Sequence, residues 1–463
     1  MGEYAPVTDD WREPLLAGAS LLDVRLARRD PAGWAGYLPE PSVRAYRLKG
    51  GPGREGPVAV AWDFSVFGGS FGEDDATTLV AAARLAAQQR VPLLTLVRSG
   101  GTRLQEGMAA LVGIPRARLA LLALAAAGQC HLSVADAPTT GGVWISVCSA
   151  ADLRVAVEGA TVGFAGPRVV EAVTGLRPGT DQLTGASAYA AGLVDAVLPP
   201  GEVAGWLARA LTALTPDPVA VADPGPAPVT ATGGWEQVLR ARGRTRSGRD
   251  LLGELLSDIV PLRAPSGDDT VQAVVARLAG RPVVGVALAA RPRTLVTADG
   301  YRLAARAYRL ADRLGLPVLS LVDTPGADPC AASEDGGLAP AIGEALDALL
   351  TCRSPTVALL HGEGGSGGAL AAATADVLLV TPDSYFAAIG PEGAQAALRQ
   401  PPQECADRMG ITPADLVALG VADAVLSDPW HAVGHLDRLL AMPAWERAAR
   451  RAGRWSRPVT GRL

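Results

Sequence analysis

The sequence predicts an α/β protein assembled from two like halves, and three observations carry that prediction. The first is a repeated strand-to-turn run. Residues 91–97 (VPLLTLV) lead into Ser99-Gly100-Gly101, and residues 316–322 (LPVLSLV) lead into Asp323-Thr324-Pro325-Gly326. Each run follows an alanine- and leucine-rich helical stretch, residues 76–89 and 301–314, so helix and strand alternate. The second is the spacing to a small-residue turn, Thr139-Thr140-Gly141-Gly142 in one half and Gly364-Gly365-Ser366-Gly367-Gly368 in the other: 41 residues separate Gly101 from Gly142, and 42 separate Gly326 from Gly368. The third is that two further landmarks follow in the same order. Gly163-Phe164-Ala165-Gly166-Pro167 answers Ala388-Ile389-Gly390-Pro391, and Gly192-Leu193-Val194-Asp195 answers Gly420-Val421-Ala422-Asp423. Four landmarks in one order at near-equal spacing mark an internal duplication.

Around the duplication the chain divides further. Residues 1–50 show no repeat partner in the sequence. A first domain is expected at 51–213 and a second at 233–440, joined at 214–232 by a proline-rich connector without periodicity. The arginine-rich tail, 441–463, reads as a solvated face or a partner contact.

Composition narrows the chemistry. At 463 residues with 49% hydrophobic and 19% charged residues, the chain suits a globular protein of two or three domains. The net charge of −5 offers no basic field for nucleic acid or an anionic membrane. Lys49 is the only lysine, which excludes a lysine Schiff base or P-loop lysine elsewhere and leaves phosphate contacts to arginine or backbone amides. The five cysteines form no CxxC pair, so neither a zinc ribbon nor a disulfide framework is expected, and a reducing cytoplasm suits them. No metal site is expected either: His431 and His435 stand four apart, but no third ligand accompanies them. No signal peptide is visible, and the apolar stretch 117–127 is too short and too arginine-flanked to span a bilayer.

The glycine turns carry the chemistry. Glycines after a buried strand present backbone N–H groups that no side chain obstructs. Two such donors aimed at one point make an oxyanion hole, and a helix starting there adds the positive end of its dipole. The same glycines would also serve as tight turns, packing points or a phosphate loop.

At this point the motifs match a family. Trp62-Asp63-Phe64 to Gly68-Gly69-Ser70, Ser99-Gly100-Gly101-Thr102-Arg103-Leu104-Gln105-Glu106-Gly107, Pro138 to Val143 and Gly163 to Val169 resemble the β-subunit of bacterial acetyl-CoA carboxylase carboxyltransferase. Asp299-Gly300-Tyr301-Arg302, Asp323 to Ala327, Gly362 to Ala369 and Gly390-Pro391-Glu392-Gly393 resemble its α-subunit. The resemblance implies two crotonase-like ββα-spiral domains in tandem, an acyl-CoA side first and a carboxybiotin side second. It implies that Gly141 and Gly142 hold the thioester oxygen, and that Gly368 and Ala369 hold the biotin ureido oxygen. It places Gly68, Gly69, Ser99, Gly100, Gly101, Arg103, Gly166 and Pro167 along the acyl-CoA path, with Arg103 a candidate for the CoA phosphates. Tyr301, Arg302, Thr324, Pro325, Gly326, Gly365, Gly367, Gly390 and Pro391 fall on the biotin side. The implied cofactor is biotin, as carboxybiotin on a separate carrier, because Lys49 stands in Leu48-Lys49-Gly50 and no Met-Lys biotinylation motif exists. The implied partners are the biotin carboxyl carrier protein, biotin carboxylase, acyl-CoA and further copies of the chain.

Departures from the family concentrate on the second half. The loop 291–297 is shortened, and Ala-Tyr-Pro-Gly after the aspartate turn becomes Ala327-Asp328-Pro329-Cys330. In the first half Thr102 replaces an alanine, and the zinc ribbon is missing. Two alternatives follow: a biotin-independent decarboxylase of malonyl-type thioesters, needing only the first oxyanion hole, and a non-catalytic scaffold subunit. Among other polar candidates, His131 reads as a packed or partner-facing residue. His361 reads as core or ligand contact, and Glu106 and Glu363 are not required as bases.

Overall fold

The apolar runs become the central strands of two eight-stranded sheets, one in each half. The computed structural model describes residues 10–221, 225, 227, 231–289, 291 and 293–459. It separates into two compact units, Met1–Ala208 and Arg209–Leu463.

In the first unit the strands are β1 (Ser20–Leu21), β2 (Val43–Arg47), β3 (Val58–Trp62), β4 (Leu93–Ser99), β5 (His131–Thr140), β6 (Leu153–Val157), β7 (Val162–Gly163) and β8 (Ala196–Leu198). They lie in the order β1-β2-β3-β4-β5-β6-β8, with β7 on the end of β5. The first two pairings are antiparallel and the rest parallel. In the second unit β9 (Leu256–Leu262), β10 (Val271–Leu278), β11 (Arg281–Leu288), β12 (Val318–Thr324), β13 (Thr356–Gly365), β14 (Val377–Val380), β15 (Tyr385–Ala387) and β16 (Ala424–Val425) take the same plan, β9-β10-β11-β12-β13-β14-β16 with β15 on β13. Strands such as β4 and β12 read as unbroken apolar runs because both faces are covered, as parallel strands require.

The helices that matter below are α1 (Glu73–Gln89), α2 (Met108–Ala126), α3 (Gly141–Ser146) and α4 (Pro167–Thr174) in the first unit. The second has α5 (Gly234–Arg242), α6 (Ala298–Leu314), α7 (Ser366–Ala373), α8 (Pro391–Leu398) and α9 (Ala444–Trp455). α1 and α6 are both 17 residues long and start 225 positions apart, at Glu73 and Ala298. Cross-strand register keeps that interval: Ser99 pairs with Thr139, and Thr324 with Gly364, each just past a β-bulge.

Three expectations change. The residues before 51 do have a repeat partner: β2 pairs with β3 as β10 pairs with β11. The sequence hid this because β2 is joined to the repeat only by antiparallel pairing, which carries no motif. Trp11, also in this segment, is buried and donates from Nε1 to Asp136 Oδ2 at 3.0 Å. The arginine-rich tail is only partly a solvated face: Trp445, Arg450 and Arg457 are exposed, while three other arginines anchor α9 to the unit. Arg451 is 2% exposed, pairs with Asp376 at 2.7 Å and donates to the carbonyls of Leu349 and Cys352. Arg447 donates to the carbonyls of Leu439 and Arg353, and Arg454 pairs with Asp423 at 2.5 Å. Finally, the apolar segment around 117–127 belongs to the longer α2, whose 19 residues have the length and composition to cross a bilayer. α2 packs along α1, with Arg116 donating to Thr77 Oγ1. The connector 214–232 lies partly outside the described residues.

Candidate functional site

Each unit builds the same turn from the same parts. At the end of β4 the Ser99 hydroxyl accepts the Gly101 N–H at 3.1 Å; at the end of β12 the Thr324 hydroxyl accepts the Gly326 N–H, also at 3.1 Å. These side-chain caps, with Gly101 and Gly326 at φ of +111° and +145°, fold the chain sharply after the strand. The next residue is held by a short parallel bridge. Phe71 N–H donates to the Gly101 carbonyl at 2.8 Å and Arg103 N–H to the Phe71 carbonyl at 3.0 Å. Val296 N–H donates to the Gly326 carbonyl at 3.1 Å and Asp328 N–H to the Val296 carbonyl at 2.9 Å. In a parallel ladder this alternation turns the intervening N–H groups, those of Thr102 and Ala327, to the other side.

That other side faces the second turn. α3 begins at Gly141 directly after β5, and α7 begins at Ser366 directly after β13. The first N–H groups of a helix, through its third residue, lack an intrahelical partner, so Gly141, Gly142, Gly367 and Gly368 carry free donors. Ala369, four residues past the Gly365 cap, makes the first bond inside α7 and is corrected as a donor to the site. Thr102 N lies 4.0 Å from the point where a side chain on Gly141 would start, and Ala327 N lies 2.9 Å from the equivalent point on Gly368. Each unit therefore brings a turn amide and helix-start amides to one place, the arrangement of an oxyanion hole. The amides of Thr102 and Ala327 carry no side-chain signature; only the shared hydroxyl-to-glycine cap two residues earlier signals them.

Strand register also resolves the one-residue difference in spacing. Gly141, at φ +67°, corresponds to Ser366, at φ +61°. Gly142 then corresponds to Gly367, and Gly368 to Val143. Counted to Gly367, the second half has the same spacing of 41 as the first, and neither turn carries an extra residue.

In the first unit the turn opens on a cleft of about 520 Å³. Gly68, Gly100, Gly166 and Pro167 line it with Thr102, Thr140, Arg168 and Arg177. Gly69 and Ser99 lie beneath: a side chain on Gly69 would run into the Arg98 carbonyl. Arg103 does not reach the cleft. It is 1% exposed and bound to Asp75 Oδ2 at 2.8 Å, Glu106 Oε1 at 3.3 Å and the carbonyls of Glu40 and Ser70. The expectation that it meets phosphates is corrected: its donors are saturated by a buried carboxylate network. Glu106 is part of that network, accepting from Tyr37 and from Glu73 N–H. His131 is buried against Thr95 Oγ1.

In the second unit, Tyr301 is fully buried with its hydroxyl unpartnered, lying where a side chain on Gly368 would go. Burial pushes its pKa up, so the hydroxyl stays protonated. Arg302 bonds Asp299 and the Gly336 carbonyl. Pro325 and Gly365 meet backbone to backbone, and Gly367 has open space around it. Gly390 and Pro391 start α8, where Glu392 is clamped by both terminal nitrogens of Arg242, a contact that holds its carboxyl down at about 2. Arg242 also bonds Glu363, which accepts from Tyr385. His361 is core: burial, with Arg244 against its Nδ1 at 2.9 Å, pushes its pKa down to about 3. Burial raises Asp323 to about 6 despite the Glu363 N–H it accepts.

Both halves of the chain are similar to known proteins. Residues 53–238 match the carboxyl transferase domain family, and residues 231–451 match the acetyl co-enzyme A carboxylase carboxyltransferase-like family. The chain is 37% identical to the acetyl-coenzyme A carboxylase carboxyl transferase subunits beta/alpha of Salinispora arenicola, with 89% of this chain and 80% of the relative covered. It is 35% identical to a probable biotin-dependent acyl-coenzyme A carboxylase beta3 subunit of Mycobacterium bovis, over 80% of this chain and 77% of that one. In fold it is similar to the transcarboxylase 12S structure solved with methylmalonyl-coenzyme A and methylmalonic acid. That match has a TM-score of 0.75 at 24% identity, covering 98% of this chain and 90% of that one.

Proposed function

The chain belongs to the carboxyltransferase family of biotin-dependent acyl-CoA carboxylases, with β-like and α-like halves in one polypeptide, and from that premise we propose that it carries a carboxyl group from carboxybiotin to the α-carbon of an acyl-CoA. The observation that carries the proposal is the duplicated pair of backbone donors, Thr102 with Gly141-Gly142 in one unit and Ala327 with the start of α7 in the other. A transfer between two acyl-type groups develops negative charge on two oxygens, and each unit offers a preorganised place for one.

The first unit holds the thioester carbonyl against the Gly141-Gly142 amides, stabilising the enolate that forms when the α-proton leaves. Neither His131 nor Glu106 has to act as a base, since both are fixed by structural hydrogen bonds. Carboxybiotin, when bound, supplies the activated carboxyl and the base that takes this proton. The second unit fits its neutral ureido group. The α7 amides are open at Gly367, and the charges beside them are closed into the Arg242–Glu392 and Arg242–Glu363 pairs. The biotin is proposed to arrive on a separate carrier protein charged by a biotin carboxylase. Further copies of the chain are proposed as partners because α2 and α4 expose Met108, Leu119, Val169 and Val173.

Mixing the full chain with malonyl-CoA and free biotin tests this in reverse. Acetyl-CoA is expected only when biotin is present, and Gly142→Val is expected to abolish it. Carbon dioxide release without biotin would establish a decarboxylase instead, and inertness of the native chain toward both would leave a scaffold.

A further inference from the structure

The two units carry opposite charge at one equivalent position. α4 and α8 are both eight residues long and both begin with proline after glycine: Gly166-Pro167-Arg168 in the first unit, Gly390-Pro391-Glu392 in the second. Glu392 is closed into a bidentate pair with Arg242. Arg168 is exposed, lines the 520 Å³ cleft and forms no ion pair or hydrogen bond among the described residues. Arg177, on the same cleft just past α4, is likewise exposed and unpaired there. The nearby cation that is already neutralised, Arg103, sits behind the wall in its carboxylate network. Two free guanidiniums at the mouth of a cleft suit a ligand with several phosphate charges, because each planar fork donates two parallel bonds to a phosphate. A closed ion pair at the matching place in the other unit leaves no free guanidinium there to call for a phosphate-bearing ligand.

We propose that Arg168 and Arg177 form the cationic rim that receives the phosphates of the coenzyme A thioester, and that they make the first unit select a polyanionic thioester over a phosphate-free one. This rests on the acyl-CoA reading of the first unit and adds to it the residues that recognise the nucleotide end.

The test compares malonyl-CoA with the malonyl thioester of pantetheine in biotin-dependent transfer by the full chain. The native chain is expected to prefer the CoA thioester by about 100-fold in kcat/KM, on the order of tenfold per guanidinium. The R168E/R177E double variant is expected to lose most of that preference, and R168K/R177K to keep part of it. Because the readout is a ratio of two substrates on one protein, general damage to the fold cancels. Calorimetric titration with adenosine 3′,5′-bisphosphate is expected to show binding to the native chain, weakening with salt, and none to the charge-reversed variant. A preference that survives charge reversal, or equal binding of the bisphosphate by both chains, overturns the proposal. Should the native chain transfer nothing to biotin, the carboxyltransfer reading falls, while the titration still decides the role of the two arginines.

Discussion

Place the first unit on the second at an interval of 225 residues and the backbones agree where the side chains do not. Ser99 and Thr324 cap the same glycine, and Thr102 and Ala327 turn the same amide outward. Yet Gly141 is matched by Ser366, the pair Ala76 and Val143 by Tyr301 and Gly368, and, past the turn where the interval drops to 224, Arg168 by Glu392. Buried strand-end charges differ as well. Arg98 pairs with Asp136 at 2.5 Å in the first unit, where the second has Asp323 and a neutral His361 contacted by Arg244. What was duplicated and kept is the placement of N–H donors, which depends on dihedral angles and hydroxyl caps. What diverged is the charge and bulk around them, the features proposed to select the ligand of each donor pair.

The comparison breaks most sharply at the glycines. Gly142→Val would press on Ile114 Cδ1 at 2.8 Å and Thr102 Oγ1 at 3.0 Å, and Gly368→Val on Tyr301 Oη and on Ala327 N at 2.9 Å. Both are expected to lower biotin-dependent transfer by at least about 100-fold, as loss of an oxyanion donor does. Equilibrium binding separates them: Gly142→Val should lose acyl-CoA, while Gly368→Val should keep it. A Gly368→Val chain with normal transfer would show that the second turn is only structural.

The buried arginines test whether the units hold themselves together separately. Arg103→Met leaves Asp75 and Glu106 unpaired in the first unit, and Arg451→Met leaves Asp376 unpaired in the second. Each is expected to cost about 3–5 kcal/mol. Limited proteolysis should show new cleavage confined to 1–208 for the former and to 209–463 for the latter; identical cleavage maps would contradict independent units.

Asp75 and Asp323 sharpen the contrast through pH. Burial raises both to about 6 from the ordinary 3.8. Between pH 4 and 6 the folded state holds a proton that the unfolded chain has released, so stability falls as pH rises, by up to about 3 kcal/mol per group. Asp323→Asn removes that loss while keeping an acceptor for Glu363 N–H, so its Tm should exceed the native value at pH 7.5 and converge with it near pH 4. Asp75→Asn should instead lower Tm at pH 7.5, because Arg103 then lacks its partner.

The smallest expected effect is at Tyr301. Tyr301→Phe removes an unsatisfied buried hydroxyl and should leave stability unchanged or raise it by about 1 kcal/mol. In that background Gly368→Ala should cost less than in the native chain, since the colliding atom is gone.

Much of the fold was legible because buried parallel strands and glycine turns leave strong local marks: VPLLTLV and LPVLSLV name β4 and β12 without any partner in view. The site was legible as far as glycine reports backbone. Where the role belongs to a residue's amide, as at Thr102 and Ala327, the side chain says nothing. Arginine was the least readable type. Arg103, Arg168 and Arg451 look alike in sequence, yet one is tied to carboxylates, one lines a cleft and one caps carbonyls, and only contacts from distant segments separate them. The spacing of 41 against 42 likewise matched Gly142 to Gly368, where strand register matches it to Gly367.

Arg451 has one more consequence, for the order of synthesis. Asp376 lies at the start of β14, but the guanidinium that neutralises it is encoded 75 residues later. At 5–20 residues per second, about 4–15 s pass on the ribosome between the two. The first sheet is closed by strands within its own 208 residues and can settle as it emerges. The second waits with a buried carboxylate exposed until α9 has been made. The half proposed to receive carboxybiotin is thus also the half for which nascent-chain protection matters most.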